Sequence, residues 1–263
     1  MKHTEESLAG KGIVVTRARR QADALATMIR ARGAVSLLYP CLAIAPADDL
    51  SPLDDALCRL GEFDWLVFTS GNAVAALADR LRILSCQPDW AQLSIAAVGA
   101  QTNEAVKSAF GRSADFLPEQ ADALALAQTL PVHAATRIVL PQADRANPAT
   151  AQIFSERGAV VSKITAYRTI LGSGGVDLAA ELARGNVHAL TFASPSAVEF
   201  LWQRCPQPKL FELPAACIGA ATAAAPRRRG FSRLVVPQVS GLANMLAALG
   251  DFFLSQKNMP ESL

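Results

Sequence analysis

The chemistry this sequence can do rests on a few small, hydroxylated turns, one arginine and two tyrosines. Thr69-Ser70-Gly71-Asn72 and Ala193-Ser194-Pro195-Ser196 each follow a short apolar run, as do Gly99-Ala100-Gln101-Thr102 and Gly219-Ala220-Ala221-Thr222. Turns of this kind, where a strand gives way to a helix, present free N–H groups and the positive end of the helix dipole, so they attract anions. Hydroxyl side chains add donors there. Ordinary helix capping uses the same residues, so one turn alone does not decide between the two roles. Their pairing in two parts of the chain points to a shared anion-binding cleft. The first strands end in Thr16-Arg17 and Pro141-Gln142, and Arg17 can clamp a carboxylate at two points. The two tyrosines are Tyr39 and Tyr167. A strand tyrosine is usually a packing residue, while a neutral phenol can also donate a proton.

The elements that position these residues are written twice. Residues 13–35 align without gaps on residues 138–160, an offset of 125, with ten of 23 positions identical. Residues 66–77 match residues 190–201 at six of 12 positions, and Val98-Gly99-Ala100-Gln101-Thr102 matches Ile218-Gly219-Ala220-Ala221-Thr222. Three blocks in the same order indicate a duplication of a domain-sized unit, far longer than a solenoid repeat. Within each copy, short apolar runs alternate with helical segments. The runs at 13–16, 65–69, 95–98, 138–140, 189–192, 216–218 and 234–236 lack in/out alternation, as strands buried on both faces of a parallel sheet do. Helical signals follow them. Residues 22–31 run into Arg32-Gly33, Asn147-Pro148 opens the matching helix, Ser196-x-x-Glu199 reads as a capping box, and Ser240 is expected to cap the last helix. The expected class is α/β, with doubly wound parallel sheets. Residues 37–45 (LLYPCLAIA) and 162–171 (SKITAYRTIL) occupy equivalent places and break the pattern. They are rich in strand formers and could pair as a two-stranded connector, with Pro40 at an edge or bulge.

Composition bounds the alternatives. The 263 residues carry 25 Lys and Arg against 23 Asp and Glu, a net charge of +2, with 51% hydrophobic and 18% charged residues. That supports a sizeable core and argues against disorder. No basic stripe interleaved with aromatics suggests nucleic acid, and no stretch of about 20 apolar residues suggests a membrane span. The opening MKHTEESLAG shows no apolar signal region, and the five scattered cysteines read as reduced, mostly core thiols, so a cytoplasmic protein is expected. The three histidines form no ligand cluster, and no metal is expected. There is no GxGxxG, P-loop or GxSxG motif. Asp54-Asp55 reads as a solvated helix face and Arg227-Arg228-Arg229 as structural.

The ordered set IVVTRAR, FDWLVFTSGNAV, AVGAQT, RIVLPQADR with RGA, AYRT, LTFASPSAVEFL and IGAAT, over residues 12–249, resembles the uroporphyrinogen-III synthase family. The resemblance implies two similar flavodoxin-like α/β domains joined by a two-stranded antiparallel ladder. Residues 1–38 and 171–263 would form one domain, 50–160 the other, and 39–49 with 161–170 the ladder. It implies a lyase that closes linear hydroxymethylbilane to uroporphyrinogen III, expelling the hydroxyl as water and inverting the terminal pyrrole ring, without metal or organic cofactor. Tyr167 stands where the family has its catalytic tyrosine. Thr69, Ser70, Gly71, Ala100, Thr102, Ser194, Pro195, Ser196 and Thr222 match its substrate-binding positions, which meet a molecule with eight carboxylates, and Arg17 in the first strand–helix turn is a further candidate. At Gln142 the chain departs from the Arg-Gly turn common in the family, and Pro226 would interrupt the helix after Thr222 early. A monomer is expected, with transient contact with the upstream bilane-producing enzyme an open alternative. The competing reading is a polycarboxylate-binding or regulatory module without chemistry.

Overall fold

A computed structural model describes residues 7–84, 90 and 92–257. The strands are β1 (Gly12–Val15), β2 (Val35–Leu38), β3 (Leu42–Pro46), β4 (Trp65–Phe68), β5 (Ser94–Ala97), β6 (Arg137–Ala143), β7 (Val160–Leu171), β8 (Ala189–Phe192), β9 (Ala215–Cys217) and β10 (Leu234–Val235). The helices are α1 (Arg19–Arg30), α2 (Ser51–Cys58), α3 (Gly71–Leu84), α4 (Ala100–Phe110), α5 (Ala123–Thr129), α6 (Ala149–Glu156), α7 (Leu178–Ala183), α8 (Pro195–Arg204), α9 (Ala220–Arg229) and α10 (Leu242–Lys257). The chain divides into two compact units: unit 1 is Met1–Ala43 with Ile170–Leu263, and unit 2 is Ile44–Thr169.

Unit 1 is built on a parallel sheet in the order β10-β9-β8-β1-β2. Every residue of β1 and β8 is buried, which is why these runs show no alternation. Two hydroxyls inside the sheet are satisfied reciprocally. Thr16 Oγ1 donates to Thr191 O at 2.6 Å, and Thr191 Oγ1 donates to Val14 O at 2.7 Å. Helix α1 buries Ala22, Leu25, Ala26 and Ile29, an i, i+3, i+4, i+7 stripe. Beyond its C-cap at Ala31 the chain turns at Gly33, whose φ of +72° suits glycine, with Ala34 N–H reaching back to Ile29 O. Leu25 and Ile29 meet Ile13, Val15, Met245 and Leu249 in the core.

Unit 2 repeats the plan in the order β3-β7-β6-β4-β5, with β7, β6, β4 and β5 parallel. A single parallel bridge between Ala96 and Phe116 lies beyond β5. One side of the sheet packs Leu66, Phe68, Val139, Ile164 and Tyr167 with helix residues Val74, Leu77 and Val106. The other packs Val67, Ile138 and Leu140 with Leu126 and Phe154. The copies exchange their first strands. β1 belongs to the first copy but pairs with β8 of the second, and β6 of the second pairs with β4 of the first.

Several local expectations need correction. Residues 37–45 are not one segment: β2 ends at Leu38, Tyr39-Pro40-Cys41 form a break, and β3 follows. Pro40 sits in that break, where no ladder donor is required. The Ser196–Glu199 capping box does not form, because Ser194 is the N-cap of α8 and Glu199 pairs with Arg229 at 3.1 Å. Pro226 does not cut α9 short; it lies inside a helix that runs on to Arg229. Helix α1 starts at Arg19, earlier than its apolar stripe suggests. Asp54 is not simply solvated, since the Arg80 guanidinium binds it at 2.5 Å between α2 and α3, holding its carboxyl below the usual range. Cys41, Cys205 and Cys217 are buried thiols while Cys58 is exposed, and Cys86 lies outside the described residues, as does the chain end after Lys257. Among the described residues no helix is long and apolar enough to cross a membrane, and no cluster of metal-ligating side chains occurs.

Candidate functional site

The turns marked in the sequence all lie at the carboxyl ends of strands, and each unit assembles its own set. In unit 2, Thr69-Ser70-Gly71 joins β4 to α3, and Gly99 joins β5 to α4. Ser70 Oγ accepts the Ala73 N–H at 3.2 Å and so caps α3. Gly99 is needed for close approach: a Cβ there would stand 2.8 Å from the Ala121 Cβ. Thr102 is buried at 5% exposure in the first turn of α4.

Tyr167 reaches the same end of the sheet from β7. Its side chain is 6% exposed and belongs to the core that includes Phe68 and Ile164. Its hydroxyl lies 3.1 Å from Ser70 Oγ. The β6–β7 register explains the placement. Gln142 faces Thr165 but Ala143 faces Tyr167, so Ala166 is an extra residue on β7. Such a bulge re-aims a side chain, and bulges are frequent beside active sites. Asp144 fixes the distorted strand, donating its N–H to Tyr167 O at 3.0 Å and accepting the Thr169 N–H at Oδ1 at 3.1 Å. Sequence reasoning missed Asp144: it falls within RIVLPQADR, but its counterpart at the repeat offset is Arg19 and nothing in that motif assigns it a role. For Ser70 it left anion binding and helix capping open and missed a third role, as the partner of the Tyr167 phenol. One Ser70 lone pair is taken by the Ala73 N–H, so the Ser70 proton is free to donate to the phenol oxygen. The phenol proton can then point outward.

In unit 1, Arg17 follows β1, Ser194-Pro195-Ser196 joins β8 to α8, and Gly219 joins β9 to α9. Ser194 Oγ and Ser196 Oγ lie 3.2 Å apart. Thr222 is buried at 5% exposure in the first turn of α9, as Thr102 is in α4. A Cβ on Gly219 would collide with Ser240 Oγ at 2.2 Å. Arg17 is half-buried, and burial pushes its pKa down from the usual guanidinium range, although an arginine remains charged at neutral pH. Its Nη2 lies 3.4 Å from Gln21 Oε1, while its Nε is buried without a partner. Leaving such a group unsatisfied costs about 1–3 kcal/mol or more. Tyr39, the other tyrosine, does not join these turns. Its ring packs under the Arg204 guanidinium at 4.0 Å, and Arg204 also donates to the carbonyls of Pro40 and Gly174. That is a structural clamp. Arg229 likewise serves structure, pairing with Glu199 and lying over Trp202 at 5.5 Å.

Comparison with known proteins gives a consistent result. The family model described as uroporphyrinogen-III synthase HemD matches residues 23–247. A uroporphyrinogen-III synthase of Synechococcus elongatus is 33% identical over 199 residues, covering 74% of each chain. A porphyrin biosynthesis protein HemD of Ruminiclostridium josui is 27% identical over 93% of this chain, which spans 49% of that protein's length. Among solved structures, a mutant uroporphyrinogen III synthase of Thermus thermophilus superposes with a TM-score of 0.67 at 22% identity, covering 95% of this chain and 100% of its own. The Helicobacter pylori enzyme gives 0.58 at 17% identity, covering 94% and 99%. At these identities the structural likeness speaks for the fold.

Proposed function

The chain belongs to the uroporphyrinogen-III synthase family, and from that premise we propose how its residues divide the work. The reaction is that of a lyase: linear hydroxymethylbilane loses its hydroxyl as water and closes to uroporphyrinogen III with the terminal ring inverted. A reading without chemistry is not favoured by a 33% identical synthase matched over 74% of its length.

The observation that carries the residue assignment is the hydrogen bond between Tyr167 and Ser70. A hydroxide-like leaving group needs a proton or a strong donor. Tyr167 supplies it as general acid or hydrogen-bond donor, with Ser70 Oγ donating to the phenol oxygen so that the phenol proton faces the substrate. Main-chain amides and hydroxyls at Thr69, Ser70, Gly71, Ala100 and Thr102 in unit 2 bind substrate carboxylates. Ser194, Pro195, Ser196 and Thr222 in unit 1 do the same, each at the start of a helix whose dipole favours negative charge. Arg17 adds a full charge to the unit 1 set. Holding a flexible tetrapyrrole in a folded pose removes much of the entropic barrier, a contribution of about 7–11 kcal/mol at best. We also read both units as doubly wound, flavodoxin-like domains, supported by the order β10-β9-β8-β1-β2. The connecting ladder is then β3 with β7. Gly172 N–H bonds to Cys41 O, and Arg168 Nε reaches Pro46 O, so one strand advances as the other recedes.

The test is a stereochemical assay. Hydroxymethylbilane is supplied, the products are oxidised, and type I and type III isomers are separated. Spontaneous closure gives type I. The chain is expected to produce type III, and type III no higher than in the protein-free control would overturn the reading.

A further inference from the structure

Among the described residues, three buried side-chain polar atoms have no hydrogen-bond partner: Arg17 Nε, Gln142 Oε1 and Arg229 Nε. Arg229 is held through its Nη2 by Glu199 and lies over Trp202, so its guanidinium already serves structure although its Nε has no partner. The other two share a relation. Gln142 minus Arg17 is 125, the offset of the duplication, so the two are counterparts at the carboxyl end of the first strand of each copy, Arg17 just beyond β1 and Gln142 on the last residues of β6. Gln142 is 4% exposed and sits on β6 beside the bulge that sets Tyr167. A folded chain rarely keeps a buried acceptor unpaired without a functional reason. Two such atoms at matched positions mark those positions as ligand-facing.

We propose that Gln142 is a substrate-positioning residue whose side-chain carbonyl accepts a pyrrole N–H of the tetrapyrrole. This rests on the functional reading above and deepens it. The chemistry follows from polarity. Arg17 offers only donors and suits carboxylates. Gln142 presents an unpaired acceptor, which ionised carboxylates cannot satisfy because they only accept. The donors of the substrate are its pyrrole N–H groups and its terminal hydroxyl. The hydroxyl belongs with Tyr167, on the sheet face that carries Val139 and Ala143. Gln142 follows the alternation of Ile138 and Leu140, so it lies on the opposite face, with Phe154. A pyrrole N–H is the donor left for it. The matched positions in the two units thus hold opposite hydrogen-bonding polarity, one for side-chain acids and one for the macrocycle.

The test uses the full chain with Gln142→Met and Gln142→Arg, reading KM, kcat, the ratio of type III to type I product, and the thermal midpoint. For Gln142→Met the expected result is a roughly tenfold rise in KM, about 1.4 kcal/mol, and a larger type I share. The thermal midpoint stays unchanged or rises, since an apolar side chain removes the unpaired acceptor. Gln142→Arg also raises KM, because donors then face donors. A wild-type KM in Gln142→Met overturns the proposal. So does a lower KM in Gln142→Arg, which would mean that the position reads a carboxylate. A fall in midpoint and kcat with KM unchanged overturns it too, in favour of a structural role. A wild-type chain that makes no type III isomer overturns the functional reading itself, and that is seen before any variant is measured.

Discussion

Units 1 and 2 share one β-α plan, yet their strand-end turns carry different side chains. Ser70 of unit 2 and Ser194 of unit 1 are counterparts at the start of α3 and α8. Ser70 caps its helix and bonds to the Tyr167 hydroxyl. Ser194 makes no capping bond and lies against Ser196. At the repeat offset, the counterpart of Tyr167 is Leu42, a buried aliphatic residue. Unit 1 instead holds Arg17 where unit 2 holds Gln142. On the proposed function, one unit supplies the proton through Tyr167 and the other a fixed charge through Arg17, while both keep the helix-start turns proposed to meet carboxylates.

The largest effect expected from breaking this asymmetry is at Tyr167. Tyr167→Phe keeps the ring in the core of unit 2 and removes one hydroxyl. General acid groups contribute about 10²–10⁴-fold, so type III formation should fall by at least about 10²-fold in the isomer assay. Stability should drop by only about 1 kcal/mol, the net worth of one hydrogen bond, as measured by denaturant titration. Unchanged turnover would remove the proton-donor role and leave the two units chemically alike.

Next in size is the charge in unit 1. Arg17→Met removes a half-buried guanidinium whose Nε has no partner. KM should rise about tenfold with kcat changed much less, since a group that binds ground and transition states alike affects KM. The folded state should lose nothing, because a desolvated cation has been replaced by an apolar chain of similar length. A kcat loss as large as that of Tyr167→Phe would mean that unit 1 takes part in the chemical step.

How much of this asymmetry the sequence discloses depends on the kind of feature. The fully apolar runs such as GIVV at Gly12–Val15 read directly as buried strands, because burial on both faces leaves no polar side to confuse the period. The repeat placed the turns, and Arg32-Gly33 marked the end of α1. The bulge at Gln142/Ala143 was not legible, since one extra residue in a strand has no composition cue, and the aim of Tyr167 depends on it. The capping box misled because Ser196 and Glu199 have the right spacing two residues too late; Ser194 and Pro195 had already started α8. Tyr39 and Tyr167 could not be separated from sequence alone. Both are buried phenols on strand-rich segments, and only their neighbours separate them: Arg204 lies over the Tyr39 ring, while Ser70 meets the Tyr167 hydroxyl that we propose as the acid.

A smaller effect should separate the paired serines. Ser70→Ala removes the α3 cap and the partner of the phenol. It should cost about 1 kcal/mol of stability and lower type III formation roughly tenfold by leaving Tyr167 unoriented. Ser194→Ala removes no capping bond, so its stability should stay within about 0.5 kcal/mol of wild type, with a rise in KM as the main change. Equal stability losses in denaturant titrations would contradict the different capping of α3 and α8.

The smallest expected difference lies in how the two units respond to pH. In unit 2, hydrogen bonds from Arg59 and then Arg137 pull the Glu62 carboxyl from 4.5 to about 2. A folded value below the unfolded one gives a contribution that is present above about 4.5 and lost as pH falls toward 2. In unit 1, burial pushes the Cys217 thiol from 9.0 up to about 12, and the Cys41 thiol upward as well. A folded value above the unfolded one gives a contribution that is full below about 9 and lost as pH rises through 9 to 12. Glu62 is exposed and its pairs are screened by salt, so the acid effect should be modest and should shrink at high ionic strength. Trp65 and Trp90 lie in unit 2 and Trp202 in unit 1, so single-tryptophan variants can follow each unit by fluorescence during denaturant titrations. Acid should lower the midpoint seen by Trp65 before that seen by Trp202, and alkali should do the reverse. Coincident shifts at both ends of the pH range would show that the two units unfold as one cooperative body despite their different ionisable groups.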